Sequence, residues 1–425
     1  MRGGKSSGSS WGALLLAGFA ACGRPAPAPT VSRTVNLAAV MDSEPPPVDT
    51  RSLAKRLVAR NAGIRQGDLV LVSGGLRDIT LLEDLALEIR KVGAQALVEL
   101  RTDRMARASF DEVPSRYDGV PDEIGRHLMG FVTAAITVGG GEPDTLFRGV
   151  PARRLAARIE AMRPASDLAQ RRGVRQVSLG NGLYPSEDRA RVFGMTKAQL
   201  EQVFWRGVDV DYDALQSTGD GVRHVLAQAT MLHLTHPNGT DLTVRVHGRP
   251  VFVSDGVISD RDQRRGGAAS SVWLPAGEVF LTPVPGTAEG VVVADRYVYE
   301  GRAIEQLRLT FRHGRMVGMS ARSNMAELQA FYAAAPAGKD ELGVIDLGIN
   351  PNITVPDGTS LAAWMPAGMV TLVLGANDWA GGDNHAVSGV NPFLAGTTLT
   401  VDGVVLVREG RLQLPTTGPE AATQR

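Results

Sequence analysis

The chain is predicted to be an α/β protein, with an N-terminal parallel α/β domain followed by a mainly antiparallel, β-rich (α+β) C-terminal domain. Two patterns carry this. Over about residues 50–200, continuous apolar runs of strand length alternate with stretches of helical spacing, as in a sheet built from βαβ units. After about residue 228, short β-type runs follow one another with turn signals between them and one helical interruption.

Taken in order, Leu53, Leu57, Val58 and Ile64 repeat as the apolar face of an amphipathic helix. Gln66-Gly67-Asp68 turns into residues 69–73, a run apolar enough for a strand buried on both faces. Residues 79–92 regain helical spacing through Leu81, Leu82, Leu85, Leu87 and Ile89, and Gly93 is a helix stop. Residues 95–100 and 131–138 are the next strands, the second closed by Gly139-Gly140-Gly141. Residues 152–163 and 197–207 read as helices, with a strand over 174–179 between them. In the second half, β-type runs lie at 230–235, 241–246, 251–254, 278–281, 291–299, 304–311 and 316–321. Asn238-Gly239 and His313-Gly314 punctuate them, and one helix falls over 326–334. This assigns 49–228 to the α/β domain, 229–415 to the β-rich domain and 416–425 to a disordered tail.

Lys plus Arg and Asp plus Glu are both 45, so nothing in the charge favours a nucleic-acid or anionic-membrane partner. A single cysteine excludes an internal disulfide framework and any Cys-rich zinc or iron–sulfur site. Arg2 and Lys5 precede an apolar run over 12–21 that is shorter than the roughly 20 residues a bilayer span needs, so it reads as a signal-peptide core. Phe19-Ala20-Ala21-Cys22 resembles a bacterial lipobox, with Phe19 where leucine is usual. The expectation is a lipoprotein signal over 1–22, lipidation at Cys22 and a Pro/Ala-rich tether over 23–48. The protein would then sit in the bacterial cell envelope, touching the membrane only through its acyl chains. A plain secretory signal with an incidental cysteine is the alternative.

Several chemistries are absent: there is no Walker A loop, no His-Glu-x-x-His zinc helix and no Gly-x-Ser-x-Gly elbow. Of seven histidines, His233 and His236 are three apart on a strand, so they point to opposite faces and read as structural; His127 and His224 lie in helical or helix-adjacent sequence with no obvious carboxylate partner, and His313 lies in a hairpin turn, open to solvent. His385 differs, because it closes the dense polar loop Gly375-Ala-Asn-Asp-Trp-Ala-Gly-Gly-Asp-Asn-His385 directly after a strand. Glu278 leads a strand after Leu274-Pro-Ala-Gly277, and Asp346 is embedded in Leu342-Gly-Val-Ile-Asp-Leu-Gly-Ile-Asn-Pro351. A carboxylate among apolar neighbours needs a cation, a proton or several donors. A cap or a buried ion pair is the plainer account of each.

Several segments together resemble the aminopeptidase T/aminopeptidase S family of metallopeptidases. They are Arg65-Gln-Gly-Asp-Leu-Val-Leu-Val72, Asn238-Gly-Thr-Asp-Leu-Thr243, Leu274-Pro-Ala-Gly-Glu-Val-Phe-Leu-Thr-Pro283, Asp346-Leu-Gly-Ile-Asn-Pro351, the Gly375–His385 loop and Val401-Asp-Gly403. They occur in the family's order over most of residues 50–410. The resemblance implies an exopeptidase that removes N-terminal amino acids from peptides, a homodimer, and a pair of divalent cations (Zn, Co or Mn). Glu278 matches a family glutamate, and Asp346 replaces a second one with a shorter reach. Thr371 stands where the family has a ligand histidine, and Gly389 and Asn391 where it has a His-x-Asp pair. The metal ligands expected here are therefore Glu278 and Asp346, with His385 joining them to complete a one-metal site. Two readings follow: a metal-dependent aminopeptidase-family hydrolase working outside the cytoplasm, or a catalytically inactive lipoprotein that keeps the fold as a binding or scaffolding module.

Overall fold

The structure, a computed structural model, describes residues 48–139, 146–299, 302–334, 337–356, 358–359, 361–386 and 389–414. The signal segment, Cys22, most of the tether and the C-terminal tail lie outside the described residues.

Asp49 caps helix α1 (Thr50–Arg56) by accepting from Arg51 N, and a wider turn, Leu57–Asn61, continues it. Strand β1 (Leu69–Gly75) follows, then α2 (Ile79–Lys91), which buries Leu81, Leu82, Leu85 and Ile89 along one face. Next come β2 (Gln95–Arg101), α3 (Asp103–Asp111), α4 (Glu123–Phe131), β3 (Ala134–Val138), α5 (Ala152–Arg172) and β4 (Arg175–Leu179). Three helices lead out of this unit: α6 (Glu187–Val192), α7 (Lys197–Val208) and α8 (Tyr212–Gln228). The hairpin of β5 (Met231–His236) and β6 (Thr240–Arg245) leads to β7 (Val251–Ser254), α9 (Asp260–Arg265), β8 (Ser271–Leu274) and β9 (Glu278–Leu281). The remaining elements are β10 (Glu289–Tyr299), β11 (Arg302–Arg312), β12 (Arg315–Ser320), α10 (Ala326–Ala334), β13 (Leu342–Gly348), β14 (Val370–Leu374), β15 (Phe393–Leu394), β16 (Thr398–Val401), β17 (Val404–Arg408) and β18 (Arg411–Leu412).

The strands form three sheets. One is parallel, in the order β2-β1-β3-β4-β8. An eight-stranded antiparallel sheet runs β12-β11-β10-β6-β5-β16-β17-β18, and a five-stranded antiparallel sheet runs β15-β14-β13-β9-β7. One apolar cluster, from Leu53 to Val407, links all three. The α/β and β-rich character expected from the sequence is present, but the two parts interlock. The fifth parallel strand, β8, comes from residues 271–274, well past the expected boundary at 228.

Other differences have local causes. The strand expected over 131–138 begins at Ala134, because Asp122 caps α4 through Gly125 N and the helix runs on to Phe131. Helix α5 passes through Pro164 to Arg172, nine residues beyond the expected end. Proline removes one helical hydrogen bond there, but Leu155, Ala165 and Ala169 are buried along the helix and hold its two halves in place.

Asp255, directly after β7, shows how the crossing into the β-rich part is tuned. Its Oδ1 accepts from Val257 N at 2.9 Å. Burial first, then the charges of Asp262 and Asp220, push its carboxyl up to about 6. A raised carboxyl contributes most below its unfolded value and loses that contribution as pH rises through the folded one. Asp255→Asn keeps the acceptor and removes the charge. It should stabilise the fold by about 1–2 kcal/mol at pH 8, allowing for partial exposure, and by nothing near pH 4, as read by urea denaturation at both pH values.

Candidate metal centre

The site lies where the parallel sheet hands over to the smaller antiparallel sheet. Strand β8 ends at Leu274, and the chain turns through Gly277 into β9, whose first residue is Glu278. Gly277 has φ 122, and a Cβ there would lie 2.7 Å from Asn350 Cβ and 2.8 Å from Asn350 N. No side chain fits at that position, so the strand must enter as glycine. Strand β4 ends beside β8, and its following loop presents Asn181 at φ 41. Asn181 Nδ2 donates to Glu278 Oε1 at 2.8 Å and to Pro275 O at 3.0 Å. Glu278 and Asn181 therefore stand at the carboxyl ends of neighbouring parallel strands, the customary ligand edge of such sheets.

Register places the second carboxylate. In the antiparallel β9–β13 pair, Glu278 opposes Gly348 and Phe280 opposes Asp346, so Glu278 and Asp346 are diagonal neighbours on one face. Across β13–β14, Asp346 directly opposes Thr371. Thr371 in turn opposes Phe393, and bonds from Leu372 N to Pro392 O and Leu374 N to Val390 O extend that pairing, which sets Asn391 on the same face as Phe393 and Thr371. An aromatic layer flanks the row: Phe252 stacks on Phe280 at 5.6 Å, and Trp379 lies 5.3 Å from Phe280. The opposite face of the sheet, with Val279, Ile345, Leu347 and Leu372, belongs to the main core.

Glu278 and Asp346 are 4% and 3% exposed, and Thr371 is fully buried. Burial pushes the Glu278 carboxyl up to about 7, against the lowering effect of the Asn181 bond. Burial, then the charge of Glu278, pushes Asp346 well above the carboxylate range. Asp346 Oδ1, Thr371 Oγ1 and Asn391 Oδ1 are buried with no hydrogen-bond partner among the described residues. The face thus carries three side-chain oxygens that no donor of the described residues reaches, beside Glu278 Oε1, which Asn181 holds.

His385 is not brought to this pair. Its Nδ1 meets Asp378 Oδ2 at 2.9 Å, with the Asp378 carboxyl buried and the ring 41% exposed. Asn377 folds the loop back by bonding both ways with the Asn384 backbone, which turns His385 onto its own loop. Among the described residues no three His, Cys, Asp or Glu side chains gather to hold a metal ion, so the expected trio does not form. The remaining histidines lie elsewhere: His233 meets Asp241 across the β5–β6 hairpin, and His313 sits in a turn at φ 50. Asn181 was not foreseen; its only signal is its place in Gly180-Asn-Gly182 at a strand end.

Residues 49–353 match the family described as thermophilic metalloprotease (M29). The chain belongs to the M29 metalloprotease family. Among curated relatives it is similar to aminopeptidase PepS of Streptococcus thermophilus, 26% identical over 298 residues that cover 63% of this chain and 69% of that one. It is also similar to aminopeptidase AmpS of Bacillus subtilis (strain 168), 25% identical over 295 residues with the same coverage. This kinship supports an enzyme of the metallo-aminopeptidase kind. Among solved structures, AmpT from Thermus thermophilus aligns with TM-score 0.63 at 18% identity, covering 85% of this chain and 98% of that one. A 2,5-dihydroxypyridine dioxygenase from Pseudomonas putida KT2440 aligns with TM-score 0.59 at 12% identity, covering 87% and 99%. These two likenesses establish the fold, and a fold shared with a dioxygenase leaves the reaction to be argued from the site.

M29 is a family of metalloproteases, which implies a divalent metal for the residues of this face. They do not fit a pair. Two carboxylates offer two negative charges against four positive ones, in surroundings where uncompensated charge is costly. At Gly389 a Cβ would lie 2.9 Å from Lys339 O and 3.2 Å from Leu374 Cβ, so an imidazole cannot stand there unless backbone moves. They do fit one cation. Glu278 and Asp346 balance its charge, and the partnerless oxygens of Asp346, Thr371 and Asn391 gain the electropositive neighbour they lack.

Proposed function

We propose that this M29 protein is a metal-dependent hydrolase that releases N-terminal amino acids from peptides. The observation that carries this reading is the meeting of Glu278, Asp346 and Thr371 on one buried face at the carboxyl edge of the parallel sheet. A cation bound there supplies Lewis-acid polarisation of the scissile carbonyl and of a water. The protein's own part is positional. Asn181 fixes one oxygen of Glu278, and the Phe252, Phe280 and Trp379 rings keep a low-dielectric wall beside Asp346, where charge interactions are strong. The test is amino-acid release from short peptides by protein supplied in turn with Mg, Mn, Co and Zn. Metal-dependent release is expected, and no release with any of the four rejects the reading.

A second reading, a non-catalytic binding module on the same fold, is favoured by Thr371, Gly389 and Asn391 at the positions where the family carries ligands. We further propose that the protein is exported, lipidated at Cys22, tethered to the cell envelope and homodimeric. Among the described residues no helix is long and apolar enough to cross a membrane. Cys22→Ser is expected to move the protein from the membrane fraction to the soluble fraction. Wild-type protein already soluble on gentle lysis would remove the anchor.

A further inference from the structure

We infer that the Glu278–Asp346 face is a single-cation site built from oxygen donors alone, suited to an oxygen-seeking cation of the Mg²⁺, Ca²⁺ or Mn²⁺ class instead of a zinc or cobalt pair. The inference rests on the proposed metal dependence and goes beyond it by naming the number and class of cation.

Four features of the face lead there. First, the side chains are two carboxyls, a hydroxyl and a carboxamide, the donor types that hard cations take, whereas zinc sites in proteins draw mainly on imidazole and thiolate. Second, among the described residues no imidazole joins the two carboxyls. His385 is held on its own loop by Asp378, and position 389 has no room for a side chain. Third, the unpartnered atoms on this face are oxygens: Asp346 Oδ1 and Thr371 Oγ1 on directly opposed residues, and Asn391 Oδ1 in the segment just before β15. Both Asp346 and Thr371 are more than nine-tenths buried, so bulk water does not satisfy them. Fourth, the charge of the pair matches one divalent ion, and a second ion would leave the buried face with an excess of two positive charges.

Asn181 belongs to the same arrangement. By donating to Glu278 Oε1 it ties down one carboxylate oxygen, which reduces the oxygens Glu278 can offer to ions and argues against a bridging role between two of them.

The experiment is titration of metal-free full-length protein with Mn²⁺, followed by electron paramagnetic resonance and by thermal shift. One Mn²⁺ per chain is expected, with an uncoupled signal, and Ca²⁺ or Mg²⁺ should compete for it. Thr371→Val keeps the shape of a buried residue and removes only the hydroxyl. It should fold as the wild type does and weaken Mn²⁺ binding about tenfold, while Asp346→Asn should weaken it at least about a hundredfold. Unchanged affinity in both variants would put the ion elsewhere and overturn the inference. Two zinc ions per chain with peptide hydrolysis would also overturn it, yet leave the hydrolase reading standing. One Mn²⁺ per chain without hydrolysis supports the inference and counts against the hydrolase reading. No bound cation of any kind overturns both.

Discussion

Glu278→Gln is expected to lower metal-dependent amino-acid release by at least about 100-fold while making the metal-free protein more stable at alkaline pH. The two effects share a cause. Glu278 is buried on strand β9 beside Asp346, and the pair repel each other whenever both are ionised. Its carboxyl, ordinarily near 4.5, is pushed up to about 7 by burial. The metal-free fold therefore prefers the protonated form. Its stability from this group is complete below pH ~4.5 and declines as pH rises through about 7. Glutamine keeps an acceptor for Asn181 Nδ2 and carries no charge. Urea denaturation of the metal-free proteins should show the variant about 2–3 kcal/mol more stable at pH 8 and equal to wild type at pH 4. Equal stability at both pH values would mean that burial is not taxing Glu278.

Arg175→Met should act in the opposite direction and with a larger effect on the fold. Arg175 begins β4, and its Nη2 lies 2.6 Å from Asp68 Oδ1; the two side chains are 6% and 14% exposed. Its Nη1 also donates to Gly63 O at 2.6 Å, which ties α1 and its following turn to the sheet. Burial works against the charge on Asp68, but the bonds from Arg175, Arg65 N and Thr133 hold its carboxyl below the usual range. Removing the guanidinium leaves Asp68 facing the interior without its cation. The cost of breaking a buried pair from one side is about 3–5 kcal/mol, far above that of a surface pair. Thermal or urea unfolding reads it directly, and a loss below about 1 kcal/mol would mean that water reaches Asp68 freely.

What could be read in the chain depended on how local the cause was. Strands β1 and β3 are visible because a central parallel strand is apolar on both faces, so Leu69–Gly75 and Ala134–Val138 announce themselves. Strand β8 does not. Ser271–Leu274 is four residues long, and its neighbour β4 ends some ninety residues earlier, so only tertiary pairing reveals it. Helix α4 buries no residue fully and contains Gly125 and Gly130, which hides its periodicity. At the site, Glu278 and Asp346 were legible because a carboxylate among apolar residues demands a partner, and register brings these two to one face. The position of His385 was not legible, since it is settled by a backbone fold between Asn377 and Asn384 that leaves no mark on spacing. Nor was Asn181, which reaches Glu278 across 97 residues of sequence.

The central claim is that a single cation sits among the oxygens of Glu278, Asp346 and Thr371. Anomalous diffraction from crystals equilibrated with Mn²⁺ tests it most directly. One peak per chain on that face, with Thr371 Oγ1 and Asp346 Oδ1 turned toward it, is the predicted result. An empty face, or two peaks side by side, would contradict it.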